Sequence, residues 1–174
     1  MKMKNIFILV LTVGVMFSGV SVANAQEKIA LVSLQRALNE VNEGKKAKAD
    51  LQKNYDSKKK QIDTMKTDLE QLSQQLEKEQ MVLSKDALKL KTQDLQKKYL
   101  DLQNKAASYE RELKTAEAES ANKILTSLKT LVSKISDQEG FTLVIENSGQ
   151  TVLFSKSAED ITPKIIAAYN KGDR

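Results

Sequence analysis

Residues 28–32 read KIALV and predict a short β-strand around which the rest of the chain must be arranged. Side chains alternate between the two faces of a strand, so Ile29 and Leu31 share one face and Ala30 and Val32 share the other. Both faces are apolar, which is typical of a buried strand. The residues that follow read as helix and offer no neighbouring strand. The partner must therefore come from the far end of the chain.

The middle of the chain carries a seven-residue repeat of apolar residues that begins at Leu34. Spacings that alternate between three and four residues predict a coiled coil, because such a repeat keeps one stripe of the helix facing a partner. Several seam positions hold small or charged residues, which predicts a looser pairing than a leucine zipper. One seam is Leu34, Val41, Lys48, Tyr55, Ile62, Leu69, Leu76 and Leu83; the other is Ala37, Gly44, Leu51, Lys58, Met65, Leu72 and Glu79.

A second seam predicts a returning helix. Steps of four residues after Ala116 form a stutter, which unwinds a supercoil locally and places the end of the arm there. Ser84 can cap a new helix with Asp86 in its first turn. We therefore predict a helical hairpin arm over residues 42–134 with its tip near 81–86, one unbroken helix being the alternative. The second seam comprises Leu95, Tyr99, Leu102, Ala106, Tyr109, Leu113, Ala116 and Ser120.

The C-terminal residues predict a β-hairpin followed by a helix. Gly140 ends the helical pattern, and residues 141–146 and 151–155 are rich in β-branched and aromatic types on either side of a turn at 147–150. The last helix is expected to be capped at Thr162, with Pro163 in its first position and Gly172 just past its end. Its apolar face should lie on the sheet and contains Ile165, Ile166 and Tyr169.

These segments predict an α+β fold in which a long antiparallel coiled-coil hairpin is inserted in a small β-sheet body. The body, residues 26–41 and 135–174, is too small to bury much surface alone and contains no cysteine for a disulfide. We therefore expect oligomerisation through the sheet, with residues 28–32 pairing either within a subunit or between subunits. The expected interface and body core comprise Ile29, Leu31, Val32, Phe141, Leu143, Val144, Val152 and Phe154.

The first 25 residues predict a secretory signal peptide. Lys2 and Lys4 precede an apolar run from Ile6 to Val20, and Ala23, Asn24 and Ala25 form a small-residue cleavage site. The apolar run is shorter than a membrane-spanning helix requires. Since the chain has no cysteine for lipid attachment, we expect a soluble exported protein after cleavage following Ala25.

Charge and composition exclude several classes of function. After residue 25 the chain has 26 basic and 23 acidic residues, but residues 42–134 alone have a net charge of +5. This cationic arm favours anionic chains or surfaces as partners, an anionic membrane among them. Nucleic acid is not expected, because arginines are few and acidic residues interrupt the basic runs. The chain has no histidine and no cysteine, so we expect no catalytic residues, metal site or cofactor.

The whole pattern resembles the Skp (OmpH-like) family of periplasmic chaperones. The resemblance rests on the signal peptide, KIALVSLQRAL, the long Lys/Gln/Leu-rich hairpin, and the tail from residue 140 with DIT before the last helix. It implies a homotrimer with a shared β-barrel body and flexible helical arms around a cavity. It also implies an ATP-independent holdase that keeps unfolded outer-membrane proteins from aggregating in the periplasm. A lipopolysaccharide surface is a further partner that the resemblance implies, although the family is usually more basic than this chain.

Two groups of arm residues are candidates for client contact. Apolar and flexible side chains at the arm tip suit promiscuous binding, although packing within the turn is an equal alternative for them. Lysines in the returning helix would attract acidic clients. The alternative function is a non-enzymatic periplasmic coiled-coil adaptor or structural spacer. The nominated residues are Met81, Val82 and Leu83 at the tip and Lys89, Lys91, Lys97 and Lys98 in the helix.

Overall fold

A computed structural model describes residues 27–149 and 152–173, so the predicted signal peptide lies outside the described residues. Strand β1 (Ile29–Val32) is the central strand of a three-stranded sheet with the order β2-β1-β3. Strand β2 (Leu143–Glu146) and strand β3 (Glu159–Asp160) both run parallel to it. The partners of β1 therefore come from the far end of its own chain, and β1 is not an edge strand.

The predicted β-hairpin is wrong in its second strand. Residues 152–155 form no strand, and Gln150 and Thr151 lie outside the described residues. Parallel strands cannot be joined by a tight turn, so the chain must travel from β2 across β1 before β3 can pair. The connecting segment is exposed at Leu153 (93%) and Phe154 (84%). Phe154 is thus not a core residue within one chain.

The first long helix is preceded by a sharp break in the chain. Helix α1 (Leu34–Glu40) begins at Ser33, whose hydroxyl accepts a hydrogen bond from the Arg36 backbone N–H. Val41 then adopts an extended conformation and is fully buried, and helix α2 (Asn42–Glu79) follows. A Cβ placed on Gly44 would lie 1.8 Å from the Leu38 carbonyl oxygen. Glycine at this position therefore allows the two helices to cross closely.

A short turn joins α2 to the longest helix, so the hairpin is confirmed over the single unbroken helix. Helix α3 (Lys85–Glu139) begins at Ser84, whose hydroxyl accepts from the Ala87 backbone N–H, and Asp86 lies in its first turn. It ends at Gly140, which has a φ of 70°. Glycine adopts this left-handed conformation without strain and is therefore common at the C-terminal end of a helix. The capping predictions for this helix are confirmed.

The last helix, α4 (Thr162–Lys171), begins within the DIT sequence of residues 160–162. Ile161, not Thr162, is the capping residue, and Gly172 ends the helix with a φ of 92°. The buried Thr162 hydroxyl instead accepts a hydrogen bond of 2.9 Å from the Ser33 backbone N–H. Asp160 accepts from the Thr162 backbone N–H and pairs with Arg36. DIT thus joins the start of α4 to the start of α1.

The hydrophobic core lies where β1, α1, the end of α3 and α4 meet. Ala30 and Val32 present the buried face of β1, whereas Ile29 and Leu31 on the other face are only partly buried. Helix α4 contributes Ile165 and packs mainly against α1 and α3, whereas its apolar pattern had predicted packing on the sheet. The buried apolar residues are Ala30, Val32, Ala37, Val41, Ile124, Leu128, Leu131, Ile135, Ile161, Ile165 and Tyr169.

Candidate functional site

The arm formed by α2 and α3 has an open seam. Within the described residues, no side chain between Lys45 and Lys123 is fully buried. Seam residues of α2 such as Ile62 and Leu69 are half-buried, while Tyr55 and Lys48 remain exposed. The predicted seam is therefore present but leaves much apolar surface in contact with water.

A polar layer replaces apolar packing in the middle of the arm. The Lys58 ammonium lies 2.6 Å from a Glu112 carboxylate oxygen and 4.0 Å from the centre of the Tyr109 ring. The Tyr109 hydroxyl donates to the side-chain carbonyl of Gln61. The Lys58 side chain is only 19% exposed at this seam position. Its charge is compensated there by the Glu112 carboxylate and the Tyr109 ring. Hydrogen bonds from Lys58 and then Ser108 hold the pKa of Glu112 below its ordinary value.

The arm is fastened to the body through its first turn. The Tyr169 hydroxyl of α4 donates a 2.8 Å hydrogen bond to Glu43, and the Lys123 ammonium lies 3.0 Å from the other carboxylate oxygen. The Asn42 backbone N–H donates to the side chain of Asn170. Polar contacts from both α3 and α4 thus fix the direction in which α2 leaves the body.

Two of the three nominated tip residues are exposed. The side chains of Met81 and Val82 are 89% and 82% exposed, whereas Leu83 is half-buried. Backbone N–H groups of Val82 and Leu83 donate to the Glu79 carbonyl, which closes the turn. Packing within the turn, the alternative for these residues, applies to Leu83 and does not apply to Met81 and Val82.

The four nominated lysines do not form one group. Lys91 reaches across the arm and forms an ion pair with Glu79. Hydrogen bonds from Lys91 and then Gln75 keep the pKa of Glu79 below its ordinary value. Lys89, Lys97 and Lys98 are exposed along α3. Lys91 therefore stabilises the hairpin near its tip, while the other three are accessible to a partner.

A groove that the sequence reasoning missed lies between the two helices in the outer half of the arm. It has a volume of about 570 Å³ and is mainly apolar. The signal that could have indicated it is a small residue, Ser73, beside Leu72 of the seam, opposite the off-seam residue Leu100. Its walls are formed by Leu69 and Ser73 of α2 and by Leu95, Gln96, Tyr99 and Leu100 of α3.

The residues nominated for the body interface are distributed over buried and exposed surfaces. Val32 is buried, and Ile29, Leu31, Val144 and Val152 are half-buried. The Lys28 ammonium lies 4.2 Å from the centre of the half-buried Phe141 ring. Leu143 is half-exposed on β2. The sheet therefore keeps an apolar surface that its own chain covers only in part.

Neither a metal site nor a membrane-spanning helix occurs in the described ranges. Residues 27–149 and 152–173 contain no cluster of three or more acidic, histidine or cysteine side chains able to hold a metal ion. No helix within these ranges combines the length and apolar character needed to cross a bilayer. The surfaces of the described residues that can contact a partner lie on the long arm and on the small sheet.

Comparison with known proteins gives one family and one fold. The family model described as outer membrane protein (OmpH-like) matches residues 28–169. No curated protein matches the sequence. Among solved structures, that of a candidate outer membrane chaperone (OmpH-like) from Caulobacter crescentus CB15 is similar, with 20% sequence identity. The similarity covers 85% of this chain and 86% of that one with a TM-score of 0.78, so the two share a fold.

Proposed function

Because the chain belongs to the outer membrane protein (OmpH-like) family, also called Skp, we propose that it is an ATP-independent periplasmic holdase chaperone. In this proposal it binds unfolded outer-membrane proteins in a cavity between flexible arms and keeps them from aggregating. The observation that carries the proposal is the open seam between Lys45 and Lys123, because such a surface can adapt to many chains. The activity is binding alone, with no bond made or broken.

The exposed tip supports contact with apolar segments of a client. Met81 has a flexible, polarisable side chain that adapts to irregular partners, and its neighbour Val82 is also exposed. Unfolded outer-membrane proteins expose apolar strand segments, and the backbone groups of these segments pair with other chains and cause aggregation unless a chaperone covers them. In the proposal, Leu83 and the lysines at 89, 91, 97 and 98 complete the contact surface, with Lys91 available only when its pair with Glu79 opens.

We propose a homotrimer in which three bodies join their sheets into a barrel. Both edges of β1 are occupied, so a neighbouring subunit would pair with β2 or β3. Strand β2 has four residues and is the longer edge, and the exposed Leu153 and Phe154 could cover the partly buried face of a neighbouring sheet. In this proposal the body comprises residues 26–41 and 135–174, and the arm comprises residues 42–134.

Export to the periplasm is part of the same proposal. The signal peptide would be removed after Ala25, and the released protein would meet clients in transit to the outer membrane. The N-terminal sequence of the protein recovered from a periplasmic extract would begin at Gln26 if this is right. Recovery of the uncleaved chain with the membranes would contradict it.

Light scattering tests the holdase directly. A denatured outer-membrane protein is diluted into buffer with and without the purified protein, in the absence of ATP, and with an unrelated coiled-coil protein as control. We expect the scattering to fall only when the protein is present at a concentration above that of the client. Unchanged aggregation would rule out the holdase. Mass in solution tests the trimer, and a monomer at micromolar concentration would contradict it.

A further inference from the structure

The groove in the outer arm is an unfilled space in the seam rather than an incidental cleft. Tyr99 occupies a seam position and yet is 55% exposed, so hairpin packing uses only part of its ring. Leu100 projects from the seam and is exposed beside it. Ser73 stands opposite these residues, and its small side chain leaves the space open. A leucine at 73 would fill the groove from the α2 side.

The groove is short along the arm. By helical spacing, Lys66 and Glu77 lie on the same face of α2 as Ser73, one on each side, and Lys89 lies two turns before Gln96 on α3. An amphipathic helix needs a continuous apolar stripe with anchors over two turns or more, and these charges interrupt it. The groove therefore suits isolated large side chains from an extended segment.

The rim of the groove offers unoccupied polar groups. Ser73, Gln96 and Tyr99 carry a hydroxyl, an amide and a phenol that can donate and accept hydrogen bonds. In the part of the chain that the structure describes, none of these three side chains forms a hydrogen bond with another residue. Such groups can bind the backbone of an extended chain without reading its sequence.

We propose that this groove binds aromatic side chains, one at a time, from extended segments of an unfolded client. Strands of outer-membrane barrels alternate apolar and polar residues and carry aromatic residues near their ends, which matches a short apolar groove with a polar rim. Residues 85–105 of α3 contain six lysines and three aspartates, a net charge of +3, so acidic neighbours of the aromatic residue strengthen binding. This inference rests on the proposed holdase function and names the feature of the client that is recognised.

The chain contains no tryptophan, so the emission of a tryptophan-containing peptide reports its environment directly. The probe is a peptide of about ten residues with alternating apolar and polar positions, one central tryptophan and two glutamates. We expect the full-length protein to shift the emission to the blue in a saturable way. The Ser73→Leu variant should bind at least about tenfold more weakly, because the ring can no longer be buried.

The matched control is Ser57→Leu, which makes the same substitution at an exposed position of α2 outside the groove. It should bind the peptide as the unaltered protein does, and both variants should keep the helical circular dichroism. Tyr99→Ser, which removes one wall, should also weaken binding. Equal affinity of Ser73→Leu and Ser57→Leu would overturn the proposal. A change of mass in solution for Ser73→Leu alone would overturn it too, since the groove would then hold a second copy of the chain.

The aggregation assay separates this inference from the proposed function. If the unaltered protein does not suppress client aggregation, the holdase proposal fails whatever the peptide does. If it suppresses aggregation but the peptide binds Ser73→Leu with unchanged affinity, only the groove proposal fails.

Discussion

The body and the arm are built from the same chain with opposite packing. All fully buried residues in the described ranges lie in the body, at the first turn of the arm, or in the last turns of α3 that pack against the body. They fall between Ala30 and Gly44 or between Ile124 and Tyr169. The arm beyond Lys45 has only half-buried seam residues and a polar layer at Lys58. The packed core therefore holds the body in one conformation, whereas deformation of the arm requires little free energy.

This difference matters for a protein that is proposed to hold many unfolded clients. A closely packed core has little tolerance for changes of shape, because interior packing is dense. An arm whose helices meet through half-exposed side chains can bend or open without creating buried cavities. Regions with few buried contacts, such as this arm, open locally more often than a packed core does. The contrast predicts that equivalent changes have unequal effects in the two regions.

The largest effect is expected from a cavity in the hydrophobic core, where the end of α3 packs against the body. Leu131→Ala removes a fully buried side chain and should lower the free energy of unfolding by about 3 kcal/mol. Leu72→Ala removes a half-buried seam residue of the arm and should cost about 1 kcal/mol. Urea unfolding followed by circular dichroism at one protein concentration measures both. Equal losses would contradict the contrast between body and arm.

A smaller loss is expected where the arm joins the body. In Gly44→Ala the new methyl group would overlap the Leu38 carbonyl oxygen, so α1 and α2 must move apart. We expect a loss of about 1–3 kcal/mol, as for other overpacked sites. Ser57→Ala, at an exposed position of α2, is the control and should be nearly neutral. A neutral Gly44→Ala would show that the crossing is not close.

The polar layer should stabilise the arm less than an apolar seam would. Lys58→Leu completes the apolar seam and leaves Glu112 half-exposed and hydrated, so the free energy of unfolding should rise by up to about 1 kcal/mol. Lys59→Leu removes the exposed Lys59–Asp63 pair and serves as the control, and it should leave the free energy of unfolding nearly unchanged. A loss of more than about 1 kcal/mol in Lys58→Leu would show that the layer stabilises the arm.

The smallest effect concerns acid. Lys91 and Gln75 hold the pKa of Glu79, and Lys58 and Ser108 hold that of Glu112, below the ordinary value of 4.5. These two carboxylates therefore contribute fully to the free energy of unfolding above that pH. Their contribution is lost as the pH falls through their lower pKa values in the folded state. Thermal unfolding should therefore be unchanged between pH 7 and 6 and begin earlier at pH 3. Glu112→Gln should show a weaker dependence on acid; an identical dependence would contradict the assignment.

Local signals in the sequence predicted the helices well. The heptad spacing, the Ser84 cap and the Gly140 end are set by residues a few positions apart, and the structure has them where they were expected. The strand at residues 28–32 was also predicted, because its apolar alternation needs no knowledge of its partners. The half-buried seam residues from Leu51 to Glu79 follow the predicted repeat.

Features that depend on distant parts of the chain were not predictable in the same way. Residues 151–155 have the composition of a strand, but β3 takes the remaining edge of β1. Val41 breaks the helix without a proline because its side chain is buried in the body core. The groove depends on Ser73 facing Leu100, which only the register of the two helices determines.

Hydrogen exchange with and without a denatured outer-membrane protein tests the central claim most directly. In the free protein, amides of residues 46–119 should exchange through local opening, while those of residues 124–136 and 161–169 should exchange only with global unfolding. Addition of the client should slow exchange in the arm and leave the body unchanged. Uniform protection in the free protein, or client protection confined to the body, would contradict the account.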